Sequence, residues 1–222
     1  MADRKSYGEG CLAAHALDLI GDRWALLIAR ELMLGPKRFG LIRAGLPGIA
    51  TNMLTRRLEE MEAAGLLARR ILPAPANAPV YELTAHGLGL RPVLLALCRW
   101  GVGVPGHDHR LPISPTSLML SMESMLRPGA VETLHAGFDM GAEIFSTMLT
   151  GAALRSCRSD RPEGQAIFRG TANAMAIAVY GPAPLAQVVA EGLIGFDGDP
   201  TLGQAVIDRF RLAPPDPTRA AP

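Results

Sequence analysis

The sequence predicts an α+β protein built from an N-terminal winged helix, mostly α-helical with a β-hairpin wing, and a C-terminal α+β domain with an antiparallel sheet. Three observations lead to this prediction. Two short helix patterns, a Gly/Pro turn and a longer helix pattern at residues 49–66 form a helix-turn-helix arrangement. Two strand patterns then flank a proline-rich loop at residues 73–79. Further along, strand patterns precede a group of helices, an order typical of α+β domains.

Composition and charge fit this division. A chain of 222 residues with 49% hydrophobic residues suits one large domain or two small ones. Residues 1–110 carry 14 Lys or Arg against 10 Asp or Glu, whereas residues 111–222 carry 8 against 11. The basic surplus of the first half indicates that this half, rather than the second, meets a polyanion.

Several function classes are not indicated. Cys11, Cys98 and Cys157 show no C-x-x-C spacing, which argues against a disulfide framework or a zinc site. We find no apolar signal region and no apolar run approaching the roughly 18 residues of a membrane span, so we expect a cytoplasmic protein with no membrane partner. Nucleophile turns and phosphate-binding glycine loops are also missing from the sequence, so we predict no enzyme, cofactor or metal.

The long helix pattern at residues 49–66 is the element around which the first half is organised. Leu54, Leu58 and Met61 fall on one apolar stripe, and Asn52 and Arg56 point almost the opposite way. Because Arg and Asn side chains hydrogen-bond to base edges in the major groove, this helix is predicted to be a recognition helix.

The other elements of the first half follow from apolar spacing and from Gly or Pro stops. Gly65 is expected to end the recognition helix as a C-cap glycine, and Thr51 is expected to cap its start. The remaining patterns predict helices at residues 11–20, 23–34, 37–44 and 89–100, and strands at residues 66–72 and 80–84.

The run GDRWALLIARELMLGPKRFGLIRAGLPGIATNMLTRRLEEMEAAGLLARR, followed by YELTAHGLGLRPVLLALCRWG, closely resembles the HxlR-type winged helix-turn-helix transcriptional regulators. The resemblance covers roughly residues 11–101. It implies a homodimer, formed largely by the terminal helices, that binds inverted-repeat operator DNA.

Within this domain, residues 1–102, we expect a set of basic and hydroxyl or amide side chains to contact double-stranded DNA. Asn52 and Arg56 should face the bases, whereas Lys37 and Arg38 should meet phosphate. At the base of the wing, Arg69 and Arg70 contact phosphate or simply form an exposed strand edge. The full set is Lys37, Arg38, Thr51, Asn52, Thr55, Arg56, Arg57, Arg69 and Arg70.

The second half begins after a Gly/Pro-rich linker at residues 103–113. A domain is predicted at residues 114–212, followed by a disordered proline-rich tail at residues 213–222. A Met/Leu-rich helix at residues 114–126 precedes four strands that we interpret as an antiparallel meander, at residues 131–138, 143–149, 152–158 and 165–169. Helices at residues 173–180, 184–191 and 201–210 follow, with a short strand at residues 193–196.

The run GTANAMAIAVYGPAPLAQVVAEGLIGFDGDPTLGQAVIDRF resembles, in the spacing of its glycines and hydrophobic segments, the sterol-carrier-protein type of lipid-binding domain. The resemblance implies an apolar tunnel between sheet and helices, and therefore an apolar small-molecule effector. Thioethers adapt to irregular ligands, although the same side chains suit an ordinary core. The expected ligand-binding residues are Met119, Met122, Met125, Phe138, Phe145, Met148, Phe168 and Met175.

These patterns predict a homodimeric transcriptional regulator, a repressor, whose operator affinity responds to an apolar molecule bound by the second domain. One alternative is a lipid or small-molecule binding protein whose winged helix serves only dimerisation. Another is a redox-sensing regulator acting through Cys11, which falls where some HxlR-type proteins carry a redox-sensing cysteine. Since no Lys or Arg stands beside Cys11, we expect this thiol to be buried and structural instead.

Overall fold

The structure, a computed structural model, describes residues 6–129 and 133–212. The chain divides into two compact units, Met1–Leu94 and Leu95–Pro222. The predicted tail at residues 213–222 and the first two residues of the strand predicted at 131–138 lie outside the described residues.

The first unit contains the predicted helix-turn-helix. Its first four helices are α1 (Leu12–Ile20), α2 (Ala25–Leu32), α3 (Phe39–Ala44) and α4 (Thr51–Ala63). Helix α2 packs against α3 and α4, whereas α1 leaves Leu12 and Leu17 exposed. The 3.6-residue apolar spacing in the sequence located the four helices to within a few residues. The mixed helical and strand composition of the whole chain confirms the α+β fold class.

Helix α4 ends at the glycine that the sequence indicated. Gly65 adopts φ +70°, a left-handed conformation that favours glycine, and the Leu66 amide donates to the Met61 carbonyl at 2.9 Å. This closing turn directs the chain straight into the wing.

The wing is an antiparallel hairpin of β1 (Leu67–Ile71) and β2 (Pro79–Leu83). The backbones of Lys37 and Tyr81 also pair, so the segment before α3 is attached to the outer edge of β2. A short helix that the sequence analysis missed, α5 (Ala85–Leu88), follows and leads to α6 (Arg91–Gly101). The boundary between the two units falls within α6.

The second unit combines helices with one five-stranded sheet. The helices are α7 (Pro115–Ser124), α8 (Ala172–Tyr180), α9 (Leu185–Ala190) and α10 (Pro200–Ile207). The Ser114 hydroxyl caps α7 by accepting from the Ser117 amide at 3.1 Å, and Pro115 follows at the first helical position.

The sheet strands are β3 (Leu134–Asp139), β4 (Ile144–Leu149), β5 (Leu154–Ser159), β6 (Ala166–Arg169) and β7 (Gly195–Gly198). Their order in the sheet is β5-β4-β3-β6-β7. The meander prediction is confirmed for β3, β4 and β5 and is wrong for β6, which lies parallel to β3. The sheet is therefore mixed rather than antiparallel.

The parallel pairing has a visible cause in the loop between β5 and β6. This loop crosses the face of β3 at Gly137, where an added Cβ would lie 2.8 Å from the Glu163 amide nitrogen. Gln165 then fixes the crossing, because its amide donates to the His135 carbonyl at 2.8 Å and its side chain accepts from the His135 amide at 2.9 Å. The chain thereby reaches the free edge of β3 in the same direction as β3 itself.

Candidate nucleic-acid interface

The exposed face of α4 is the candidate interface in the first unit. Leu54, Leu58 and Met61 are at most 2% exposed and form its buried stripe. Of the predicted DNA-binding residues on this helix, four are exposed together on the other side: Thr51, Asn52, Thr55 and Arg56. The helix therefore presents hydroxyl, amide and guanidinium groups to solvent over its first two turns.

Arg56 is the most extended of these groups. Its side chain is 59% exposed, and its Nε donates to Glu60 Oε1 at 2.8 Å, one turn further along the helix. The hydrogen bond from Arg56 to Glu60 raises the pKa of the guanidinium, which therefore stays charged. This arrangement aims a bidentate donor away from the unit, as contact with a guanine edge requires.

The start of α4 differs from the prediction. The N-cap residue is Ala50, in extended conformation, and no side chain caps the helix. The prediction that Thr51 is the N-cap is therefore wrong, because Thr51 has already entered the helix and its carbonyl accepts from the Thr55 hydroxyl at 3.1 Å. The Met53 amide in this first turn donates to Asn52 Oδ1 at 2.8 Å, and the positive end of the helix dipole favours a negatively charged group such as a DNA phosphate.

Lys37 is the clearest disagreement with the sequence analysis. Its side chain and that of Glu31 are both 0% exposed, and Lys37 Nζ lies 2.9 Å from Glu31 Oε2. A lysine enclosed in this way cannot reach a DNA phosphate, so the predicted contact is wrong. The pair instead joins α2 to the segment that precedes α3.

Glu31 also organises the turn of the helix-turn-helix. Its carboxylate accepts from Arg30 at 2.8 Å, and Arg30 donates further to the Gly45 carbonyl at 3.2 Å. A Cβ at Gly45 would lie 2.2 Å from Glu31 Oε2, so only glycine leaves room for the carboxylate. Lys37, Glu31, Arg30 and Gly45 together form what we call the turn cluster.

Arg57 likewise has a partner within the protein. Its guanidinium lies 2.6 Å from Asp22 Oδ2 and also binds Glu60, leaving the side chain 20% exposed. The ion pair with Asp22 connects α4 to the residues before α2, and the pair with Glu60 lies within α4. We therefore assign Arg57 to positioning the recognition helix rather than to contacting DNA.

The remaining predicted residues are exposed at the edge of the interface. Arg38 is the N-cap residue of α3, and Arg69 and Arg70 lie on β1. Arg70 forms a cross-strand ion pair with Glu82 at 2.5 Å, so its charge is partly neutralised. Arg43 is an exposed residue in the last turn of α3 that the sequence analysis did not include among the DNA-binding residues. Its position, two residues before Gly45 in the helix-turn-helix turn, could have indicated it.

Residues 19–107 match the family described as HxlR-like helix-turn-helix. An HTH-type transcriptional regulator of Synechocystis is 37% identical over 94 residues, which are 42% of this chain and 70% of the relative. The chain belongs to the HxlR-like helix-turn-helix family. YodB, an HTH-type transcriptional regulator of Bacillus subtilis, is 39% identical over 85 residues, 38% of this chain and 76% of YodB.

Among solved structures, the reduced form of YodB from Bacillus subtilis is 35% identical, covers 45% of this chain and 100% of that chain, and gives a TM-score of 0.39. The redox regulator HypR in its oxidised form is 32% identical, covers 44% of this chain and 100% of that chain, and gives a TM-score of 0.41. The family and its named members confirm the prediction of a transcriptional regulator of the HxlR type rather than an enzyme. None of the helices in the described part of the chain is long and apolar enough to cross a membrane.

The predicted ligand-binding residues of the HxlR-like chain's second unit do not surround one cavity. Six of the eight form the closed core: Met119, Met122, Phe138, Phe145, Phe168 and Met175 are each at most 1% exposed. Met148 instead faces an open cavity of about 500 Å³ with polar neighbours such as His135 and Arg155, and Met125 lines a different cavity. The burial of these six side chains favours an ordinary core, and one apolar site formed by all eight residues stays a prediction.

The surroundings of Cys11 also differ from the expectation. The thiol is exposed rather than buried, and it lies at the N-cap position of α1. The nearby backbone amides of Ala14 and Ala13 lower the pKa of the Cys11 thiol. The expectation of a buried structural cysteine is therefore wrong for the described chain, since helix amides supply what adjacent Lys or Arg residues would have supplied.

Proposed function

We propose that this HxlR-like chain is a homodimeric repressor that binds inverted-repeat operators through α4, with operator affinity modulated by a small molecule held in the second unit. The exposed face of α4 carries the proposal, because it places Asn52 and Arg56 outward while the opposite stripe is fully buried. A helix presented in this way fits the major groove, where these side chains distinguish adenine and guanine edges.

A dimer is part of the proposal because one recognition helix reads only a few base pairs. Two copies related by a two-fold axis would read two half-sites about 34–36 Å apart, or a multiple of that distance, in inverted orientation. Repression follows most simply if bound dimers occlude other proteins from the same DNA.

Operator recognition can be tested by letting the full chain select DNA duplexes from a library of random sequences. We expect enriched sites to be inverted repeats whose half-sites are centred about 10–10.5 base pairs apart or a multiple of this spacing, with affinity falling steeply as salt rises. A protein whose winged helix serves only dimerisation would enrich no sequence, and that result would favour the small-molecule binding alternative.

The dimer surface is proposed to be formed by α1 and α6, which leave large apolar side chains exposed. Leu12 is 86% exposed and Leu17 is 47% exposed on α1, whereas Leu97 is 44% exposed and Trp100 is 69% exposed on α6. Exposed apolar residues such as these mark an interaction surface on each of the two helices.

Replacing Leu97 with glutamate should therefore convert the dimer to a monomer in sedimentation experiments at micromolar concentration, because a carboxylate would be desolvated in the interface. Ile177→Glu is the matched control, since Ile177 is 55% exposed on α8. A variant Leu97→Glu that stays dimeric would move the proposed interface elsewhere.

A redox-sensing regulator is a second candidate, supported by the exposure of Cys11 and by the backbone amides that lower the pKa of its thiol. Thiolates react faster with oxidants than thiols do. We expect diamide or peroxide to change the operator affinity of the wild-type chain and to leave Cys11→Ser unaffected. Cys157→Ser, which removes the other exposed thiol, should respond like the wild type, and equal responses in all three proteins would remove Cys11 from consideration.

A further inference from the structure

A small cavity in the Leu95–Pro222 unit combines positive charge with an apolar wall. Its volume is about 190 Å³. Three arginines line it, and its other lining residues are mainly apolar: Arg99, Arg127 and Arg211 with Met125, Leu126 and Pro128. Among residues 6–129 and 133–212, no Asp or Glu lines this cavity.

The three arginines carry charge that the protein does not neutralise locally. All three are exposed, and among residues 6–129 and 133–212 none of their guanidinium groups forms an ion pair. Arginines placed together without a carboxylate repel one another, so the arrangement favours a bound anion.

A fourth arginine supports the floor of this cavity. Arg209 is 7% exposed, and its Nε and Nη2 donate to the Arg127 carbonyl at 3.0 and 2.7 Å. Nη2 also donates to the carbonyls of Thr150 and Gly151, so every recorded partner is a neutral oxygen. Its buried Nη1 has no hydrogen-bond partner in the described chain. A buried cation without a counter-ion is costly, and a nearby anion would offset part of that cost.

We propose that this cavity binds a small organic acid, with its carboxylate between the arginines and its apolar group against Met125 and Leu126. The planar fork of a guanidinium matches a carboxylate in a bidentate manner. An inorganic anion would leave the apolar wall unused, and a neutral lipid would leave the arginines unpaired. The volume is below the roughly 300–1,000 Å³ of sites for drug-sized ligands, so the acid is small.

This inference deepens the proposed function. It rests on that function only in identifying the acid as the small molecule that modulates operator affinity. Arg99 lies near the end of α6, and the same helix begins in the first unit, so the site has a continuous covalent element leading toward the helix-turn-helix. Binding of the acid to the full chain is measurable without DNA, which keeps failure of the site and failure of operator recognition distinguishable.

The experiment is calorimetric titration of the full chain with benzoate and with octanoate, each compared with benzyl alcohol and inorganic phosphate. We expect at least one acid to bind, and both Arg127→Gln and Arg211→Gln to weaken it by about tenfold or more, the effect of losing one charge-assisted hydrogen bond. Arg155→Gln is the matched control, because Arg155 is an exposed arginine of the same unit outside this cavity. Benzyl alcohol and phosphate should bind more weakly than the acids.

Three results would overturn the inference: neither acid binds, the two variants bind as tightly as Arg155→Gln, or phosphate binds as tightly as the acids. Arg127→Lys separates charge from geometry, since it keeps the charge and should still weaken binding by removing the bidentate fork. Unchanged thermal unfolding of each variant in the absence of acid confirms that the loss lies in binding. If the unmodified full chain binds neither acid but still selects operator sequences, the site is contradicted and the proposed operator recognition stands.

Discussion

Replacing Glu31 with alanine is expected to lower the free energy of unfolding of the first unit by about 3–5 kcal/mol, because it leaves a buried charge without its partner. Lys37 and Glu31 are both 0% exposed, with Nζ and Oε2 2.9 Å apart. Denaturation in urea, followed by the fluorescence of Trp24 in a Trp100→Phe background, would report on the first unit alone. Trp24 and Trp100 are the two tryptophans of the sequence.

Two controls show whether the buried pair causes this loss. Glu59→Ala removes an exposed carboxylate from α4 and should change the free energy of unfolding by no more than about 0.5 kcal/mol. Replacing both members of the pair, Glu31→Leu with Lys37→Met, should recover most of the stability, since apolar residues often replace a buried ion pair at little cost. If Glu31→Ala is as stable as Glu59→Ala, the turn cluster does not hold the helices together.

Replacing Arg56 with alanine is expected to weaken binding to a selected operator by about 1–3 kcal/mol for each half-site, and to relax base preference at one position. Arg56 is the exposed guanidinium at the centre of the outward face of α4. The loss should be much smaller on random DNA, because such DNA offers no matching guanine edge. Fluorescence anisotropy titrations with both DNAs at several salt concentrations would measure the difference.

Arg38→Ala is the matched comparison, since Arg38 is an exposed arginine that we predict to contact phosphate. It should weaken binding to all sequences alike and reduce the slope of affinity against salt by about one. An Arg56→Ala variant that behaves in this same uniform way would show that α4 does not read bases.

The helices of the first unit could be predicted from the sequence because their cause is local. The stripe of Leu54, Leu58 and Met61 repeats at helical spacing whatever surrounds it, and burial of that stripe sets the direction of Asn52 and Arg56. The exposed residues of α4 could be predicted for the same reason, because the position of a residue around a helix determines whether its side chain is exposed.

The surroundings of some other predicted site residues depend on contacts with residues that are distant in sequence, and these could not be predicted. Lys37 stands in a Gly-Pro-Lys-Arg segment that reads as exposed, and nothing local indicates that Glu31 closes over it. The sequence pattern of the methionines and phenylalanines in the second unit is equally consistent with a ligand site and with a hydrophobic core. The stacking of Phe138 on Phe168, with ring centroids 5.0 Å apart, favours the core interpretation and depends on strands that are far apart in sequence.

The parallel strand β6 has a consequence for the order in which the second unit acquires its structure during synthesis. The hairpins β3-β4 and β4-β5 join near neighbours in sequence, so they form as soon as residue 159 has left the ribosome. The inner edge of β3 has no partner until residues 166–169 arrive, and β6 in turn waits for residues 195–198. A nascent chain halted between these points exposes an unpaired strand edge, which is the part of the molecule most open to aggregation or to a chaperone.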